Sequence, residues 1–158
     1  MFRKMRRFKQ ELSERECIEI LKKEPRGVLS MIGDDGYPYG IPMSHWYNED
    51  DGKLYFHGAR EGHKIDAIQN CDKVSFCVYD EGYRKEGEWA LNIRSVVVFG
   101  RMHVVEDKGK VEEICASLFK KFTDDKEYAE QEFLKAGDRV LCLELTPESM
   151  TGKLVNES

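Results

Sequence analysis

The pattern of hydrophobic and polar positions predicts a helix near the start of the chain, followed by a strand. Ser13 and Glu16 have the spacing of a capping box, and residues 17–21 supply the apolar stripe of one helical face. Residues 27–32 form a short apolar run that ends at the glycine-containing turn 33–36. We therefore expect the chain to enter a sheet directly after its first helix.

Alternation of apolar and polar residues indicates further strands. Pro42 cannot donate a hydrogen bond to a neighbouring strand, so its strand should lie at an edge or contain a bulge. Gly100 is expected to mark a bulge or a close approach, and Thr146-Pro147 to end the final strand. Six strands are predicted, over residues 27–32, 39–47, 53–57, 73–79, 89–105 and 139–145.

Helical periodicity predicts three more helices. A short one follows Gly62 and ends near Asn70, a second has its apolar face between Val111 and Phe122, and a third lies within residues 124–136. Hairpin-length connections between the early strands favour an antiparallel sheet. This much β-structure in 158 residues predicts a mainly β fold, a closed or half-closed barrel with peripheral helices.

Composition and charge limit the domain count and the partners. With 41% hydrophobic and 35% charged residues, the 158-residue chain suits one globular domain. Its net charge of −5 gives no general attraction to nucleic acid or to a membrane surface, and we expect neither as a partner. Residues 1–9 nevertheless carry five basic side chains, which we interpret as a solvated tail or a dimer-packing segment rather than a nucleic-acid arm. We therefore divide the chain into a basic arm (1–12), one domain (13–153) and a short tail (154–158).

The five cysteines are scattered, odd in number and contain no CxxC pair, as is typical of reduced thiols in a cytoplasmic protein. No apolar run has the length of a transmembrane helix. The four histidines lack the spacing of a zinc site, so no metal is expected.

The stretch LYFHGAREGHKIDAI, residues 54–68, carries the chemistry that stands out. A strand ending in His-Gly-Ala runs into a turn where Arg60, His63 and Lys64 oppose the single carboxylate of Glu61. The glycines let a ligand approach the backbone closely, and the helix beginning near Gly62 offers free N–H groups that favour an anion. The turn is interpreted as a phosphate site, with an ordinary solvated connection as the alternative.

Five phrases resemble the split-barrel flavin-binding proteins related to pyridoxamine 5′-phosphate oxidase, and within them the nitroimidazole-resistance group. The phrases follow the order of that family, and the resemblance as a whole extends over residues 13–153. They lie at residues 40–45, 54–64, 70–76, 94–100 and 145–153.

The resemblance implies an antiparallel six-stranded split barrel of Greek-key type that forms a homodimer. Two FMN sites would lie at the subunit interface, each built from both subunits. His45 would lie beside the flavin ring as the candidate catalytic residue, although a satisfied strand histidine is the alternative. The residues implied to bind FMN are Pro42, Met43, Ser44, His45, His57, Gly58, Ala59, Arg60, Gly62, His63, Lys64, Ser95 and Val96.

The implied function is an FMN-dependent oxidoreductase that passes electrons from reduced flavin to a small organic acceptor, such as a nitroimidazole, and takes them from a small-molecule donor. One alternative is a flavin-binding electron carrier or sensor without turnover. Another is a split barrel that uses haem, with His45 or His57 as axial ligand, or a deazaflavin. The charged loop 80–88 would either cap the site or be solvated.

Overall fold

A computed structural model describes all 158 residues as a curled antiparallel sheet with helices packed around it. The helices are α1 (Glu14–Lys23), α2 (His63–Asn70), α3 (Lys108–Lys120) and α4 (Lys126–Ala136). The strands are β1 (Arg26–Ile32), β2 (Pro38–Ser44), β3 (Trp46–Asn48), β4 (Lys53–Ala59), β5 (Lys73–Tyr79), β6 (Asn92–Val105) and β7 (Val140–Asn156).

The seven strands lie in the order β2-β1-β5-β6-β7-β4-β3, and every neighbouring pair is antiparallel. Strands β2 and β3 are consecutive in the chain but occupy opposite edges of the sheet, so the segment 38–48 bends the sheet into a half-barrel. The predicted single strand 39–47 is thus divided at His45, and six strands become seven. The predicted fold, a mainly β split barrel with flanking helices, is confirmed.

The longest ladder joins β6 to β7 and contains the predicted bulge. Phe99 pairs with Ser149 and Gly100 with Pro147, so Glu148 is an extra residue on β7. The prediction that Thr146-Pro147 ends the last strand is wrong, because a bulge tolerates a residue that cannot donate to the ladder. Glycine is required on the facing strand: a Cβ at Gly100 would lie 2.2 Å from a backbone oxygen of β7.

Helix α1 begins as predicted. The Ser13 hydroxyl accepts from the Glu16 N–H at 3.2 Å, and the Glu16 carboxylate accepts from the Ser13 N–H at 2.8 Å, which completes the capping box. The buried face of α1 packs against the sheet through Cys17, Ile20 and Leu21. None of the helices combines the length and the hydropathy needed to cross a bilayer.

The concave side of the sheet holds the main hydrophobic core. Phe56 and Phe76 meet edge to face at its centre, with ring centroids 5.0 Å apart. A smaller cluster lies beneath α3 and contains Tyr55, Ile114, Cys115, Leu118 and Cys142. Each large side chain buried in this way stabilises the fold by roughly 1.5–3 kcal/mol before entropy is counted.

The convex side of the sheet is unusual because its central region carries no charge. Two cross-strand rows run over β2, β1, β5, β6 and β7, and both consist of small, apolar or hydroxyl residues. The rows are Pro42–Val28–Cys77–Val97–Thr151 and Gly40–Ser30–Ser75–Phe99–Ser149. We call these ten residues the uncharged face.

Candidate functional site

The turn between β4 and α2 presents unpaired backbone donors. Gly62 precedes α2 with φ of 132°, a conformation that favours glycine, and no side chain caps the helix. The Gly62 carbonyl accepts from the N–H groups of Ile65 and Asp66, both at 3.1 Å. The amides of His63 and Lys64 precede the first helical hydrogen bond and therefore have no acceptor within α2. Their N–H groups can bind an anion.

Lys64 supplies the charge at this place. Its half-buried ammonium lies 3.8 Å from the Met43 sulfur and forms no ion pair. A Cβ built on Gly58 would lie 2.6 Å from the Lys64 Nζ, so glycine at this position gives the ammonium its space. Burial lowers the pKa of Lys64. A half-buried cation without a carboxylate partner is a place where a bound anion would be strongly stabilised.

The other two predicted cations of the turn already have protein partners. The Asp34 N–H donates to His63 Nε2 at 3.3 Å, and the imidazole stacks on Tyr39 with ring centroids 4.1 Å apart. His63 Nε2 also lies 3.8 Å from the Asp34 carboxylate, so the residues of the β1–β2 turn already engage this ring nitrogen. Arg60 Nε donates to the Asp138 carbonyl, which holds the turn against the start of β7.

The predicted residues on β2 and β4 flank Lys64. His57 lies next to Gly58 with an exposed side chain, and partial desolvation followed by the charge of Lys64 lowers the pKa of His57. Ala59 is the last residue of β4, while Pro42 and Ser44 lie on either side of Met43 on β2. The structure therefore brings Met43, His57, Gly58 and Lys64 into one neighbourhood.

His45 lies elsewhere, in the core. Its side chain has no exposed surface, its Nε2 donates to the Leu21 carbonyl at 2.7 Å, and its Nδ1 has no partner. Desolvation, and then the charge of Lys121, lower the pKa of His45 to about 3. A neutral, enclosed imidazole has no access to a substrate, so this position is inconsistent with the candidate catalytic role of His45 beside a flavin ring.

Lys121 explains how the chain turns at His45. Its ammonium donates to the carbonyls of Glu24 at 2.8 Å and His45 at 2.6 Å, and so ties α3 to the end of α1 and to the break between β2 and β3. Burial lowers the pKa of Lys121 to about 8. These hydrogen bonds stabilise the junction between β2 and β3, which we call the seam, where the sheet bends into the half-barrel.

Ser95 does not face the turn within one chain. Ser95 and Val96 alternate along β6, so their side chains face opposite sides of the sheet, and Ser95 lines a cleft on the side away from the core. Lys64 contacts Met43, whose side chain belongs to the core. Val96 is fully buried in the core. A single chain therefore presents two separate half-sites, one at Lys64 and one at Ser95.

The second half-site contains residues that sequence reasoning did not connect. Ser95 lines a cleft of about 160 Å³ together with Arg3, Thr151 and Lys153. Leu12 N–H donates to the Gly152 carbonyl at 2.8 Å, and this bond brings the N-terminal arm onto β7. Only the concentration of basic residues in the arm signalled its importance in the sequence.

Comparison with known proteins gives the family of the chain. A family model described as pyridoxamine 5′-phosphate oxidase matches residues 13–154. No curated protein sequence matches the chain.

Several solved structures share the fold at low sequence identity. A candidate 5-nitroimidazole antibiotic resistance protein of Bacteroides thetaiotaomicron has a TM-score of 0.75 at 18% identity, with 92% of this chain and 87% of that chain covered. An FAD-binding protein of Mesorhizobium loti has a TM-score of 0.69 at 24% identity, with 92% and 97% covered. An FAD- and haem-binding protein of Mycobacterium smegmatis has a TM-score of 0.69 at 21% identity, with 95% and 74% covered.

Proposed function

Because the chain belongs to the pyridoxamine 5′-phosphate oxidase family, we propose that it binds FMN and transfers electrons to a small organic acceptor. The observation that supports this proposal is the half-buried ammonium of Lys64, which lies over Gly58 without an anionic partner. The acceptor class that we favour is the nitroaromatic, because a candidate 5-nitroimidazole resistance protein shares the fold.

The residues at the turn fit the phosphate of FMN. Lys64 Nζ and the first amides of α2 would donate charge-assisted hydrogen bonds to its oxygens. Gly58 leaves the space that these oxygens need, and Met43 offers an apolar contact to the ring end. The bound flavin supplies the redox chemistry, and the role of these residues is to hold and orient it.

The half-sites support a homodimer. Ser95 faces the side of the sheet opposite to Met43, which Lys64 contacts, so a site that uses both requires two chains. The uncharged face provides a surface for this association, because a sheet face without charges can be covered at little desolvation cost. We propose that two chains pack through the part of this face on β2, β1 and β5, since the N-terminal arm lies over Phe99 and beside Val97 and Thr151. Each FMN would lie between the Lys64 half-site of one chain and the Ser95 half-site of its partner.

Haem is less well supported than flavin by the residues present. A histidine ligand needs an accessible ring nitrogen, and the Nε2 of His45 is bound to Leu21 inside the core. His57 is exposed, but the charge of Lys64 next to it would oppose binding of a cationic iron. We also place the protein in the cytoplasm, on the basis of its five free and dispersed thiols.

The test is the visible absorption spectrum of the purified protein after FMN is added and unbound flavin is removed by gel filtration. We expect a retained flavin spectrum in the wild type and a loss of at least tenfold in affinity for Lys64→Ala, since a charge-assisted hydrogen bond contributes roughly 1.5–3 kcal/mol. Lys73→Ala is the matched control, because Lys73 is exposed and forms no ion pair. A wild-type protein that retains no flavin would overturn the proposal.

Turnover is measured separately. The flavin-loaded protein, supplied with a reduced nicotinamide donor and a nitroimidazole, should consume the donor in proportion to the acceptor added. Flavin that is reduced once and then passes no electrons to any acceptor would instead identify a carrier or sensor.

A further inference from the structure

The N-terminal arm and the end of β7 enclose a continuous groove. Three clefts of about 160, 370 and 290 Å³ follow one another along the arm. The first and second share Met5 and Lys153, and the second and third share Arg6 and Arg7. We call these three clefts together the arm groove.

The arm groove is strongly cationic. Five basic side chains line it, no aspartate or glutamate does, and none of the five forms an ion pair. The five are Arg3, Arg6, Arg7, Lys9 and Lys153. Residues 1–9 have a net charge of +5. Because the whole chain has a net charge of −5, residues 10–158 have a net charge of −10. A cationic groove on an otherwise acidic chain selects a polyanion locally rather than attracting anions everywhere.

Neutral polar groups at the two ends of the groove narrow the choice of ligand. The hydroxyls of Ser95 and Thr151 lie at one end. At the other end lies Gln10, whose amide oxygen is buried without a hydrogen-bond partner. A buried acceptor of this kind is costly unless a donor reaches it. A ligand with phosphates at its centre and hydroxyl or amide donors beyond them would satisfy both ends.

The arm is held in place before any ligand binds. Leu12 is bonded to Gly152, Glu11 bridges Lys153, and Phe2 stacks on Phe99 with ring centroids 5.6 Å apart. These contacts fix both ends of the arm on the sheet. The arginines between them are consequently positioned without a large ordering cost on binding.

We propose that the arm groove binds the pyrophosphate of a nicotinamide dinucleotide, with the Ser95 end directed at the flavin. The inference rests on the proposed function, because Ser95 belongs to the half-site that would contact the flavin of the partner chain. Arg6 and Arg7, shared by the second and third clefts, would bind the two phosphates, for which the planar guanidinium is suited. Rotation of the Gln10 side chain out of its buried position would let its amide oxygen accept from a ribose hydroxyl.

The test compares two double variants that remove the same charge. Arg6→Ala/Arg7→Ala removes the groove arginines, and Lys4→Ala/Lys108→Ala removes two exposed lysines outside the groove. Calorimetric titration of NADPH and of inorganic pyrophosphate into the FMN-loaded protein should show at least tenfold weaker binding for the arginine variant and unchanged binding for the lysine variant. The affinity of both variants for FMN should equal that of the wild type.

Other outcomes would overturn the inference. Equal NADPH affinities in both double variants would show that the groove does not bind the donor. Weaker binding of FAD, with NADPH binding intact, would assign the groove to the adenylate of a larger flavin. If the dimer dissociates in the arginine variant but not in the lysine variant, the arm binds an acidic surface of the second chain instead of a dinucleotide. A wild type that binds NADPH and pyrophosphate but no FMN would contradict the proposed function and not the groove.

Discussion

Lys64 and His45 are both basic side chains that are partly or fully buried, but their nitrogen atoms have different hydrogen-bond partners. His45 bonds its Nε2 to a carbonyl of α1 and is enclosed by the core, whereas Lys64 has no oxygen partner and lies at the mouth of a helix. Both show lowered pKa values because of desolvation. The difference is access: an anion from outside can reach Lys64, and nothing from outside can reach His45. Position, rather than residue type, therefore separates the proposed binding residue from the structural one.

Gly58→Ala tests the space beside Lys64. The new methyl group would meet only the end of the Lys64 side chain, which can move, so we expect the thermal unfolding midpoint to change little. The displaced ammonium would leave its position over the strand, and the affinity for FMN should fall roughly tenfold, the value of one charge-assisted hydrogen bond. Fluorescence titration with FMN measures this, and unchanged affinity would show that Gly58 does not shape the site.

His45 predicts a pH dependence of stability. Its pKa is about 3 in the folded protein and 6.5 ordinarily, so between these values the unfolded chain binds more protons. The free energy of unfolding should therefore fall as pH drops below 6.5, by roughly 3 kcal/mol at pH 4.5 from this residue. His45→Gln retains a donor for the Leu21 carbonyl but has no such titration. Urea unfolding at pH 7 and 4.5 should show a smaller acid loss in the variant; equal losses would contradict the assignment.

At the scale of elements, the seam between β2 and β3 and the bulge between β6 and β7 determine how the barrel closes. Neither involves more than a few residues. At the seam, the Lys121 ammonium donates hydrogen bonds to two carbonyls where the chain leaves β2 and enters β3 at the opposite edge of the sheet. At the bulge, Pro147 faces Gly100 across the ladder. Each is a place where a regular ladder is interrupted in order to change the direction of the sheet.

Substitutions of two glycines by alanine should have opposite effects. Gly100→Ala places a methyl group against the backbone of β7, which cannot move aside, and should cost at least about 2 kcal/mol of stability. Gly109→Ala lies in α3, where the methyl group meets no backbone closely, and should stabilise by about 0.5–1 kcal/mol. Denaturant midpoints measure both. A Gly100→Ala variant as stable as the wild type would show that the ladder relaxes there.

Local signals in the sequence account for most elements and for part of the site. The capping box at Ser13, the alternation over β5 and the glycine at the bulge are short-range patterns, and the structure confirms them. The division of the strand at His45 was not foreseen, because it depends on Lys121, which is 76 residues away. The turn at Lys64 was identified from its own residues. The hydrogen bond that His63 accepts was not predicted, since its donor Asp34 belongs to the turn between β1 and β2.

At the scale of the whole molecule, the proposed dimer rests on the two half-sites and the uncharged face. Lys64 and Ser95 serve opposite sides of the sheet, and the uncharged face offers apolar and hydroxyl groups to another molecule. Association through that surface would at the same time cover the face and unite the half-sites. Flavin binding and dimer formation should therefore depend on each other.

Val28→Asp tests this dependence. Val28 is exposed at the centre of the uncharged face, and an aspartate there would be buried without a partner in the dimer. We expect a shift from dimer to monomer in sedimentation velocity, together with loss of FMN binding. Leu134→Asp is the control, since Leu134 is also an exposed apolar residue but lies on α4. A Val28→Asp variant that remains dimeric would place the interface elsewhere.

The central position of β7 in the sheet has a consequence for biosynthesis. The last strand of the chain lies between β6 and β4, and Leu54 pairs with Leu145, a residue 91 positions later. Until the C-terminal segment leaves the ribosome, the hairpin of β3 and β4 has no neighbour, and the edges of β4 and β6 remain open. The barrel therefore closes only after β7 has been synthesised. During synthesis the nascent chain exposes two unpaired strand edges that can aggregate. The yield of folded protein in the cell should therefore depend on chaperones and on growth temperature.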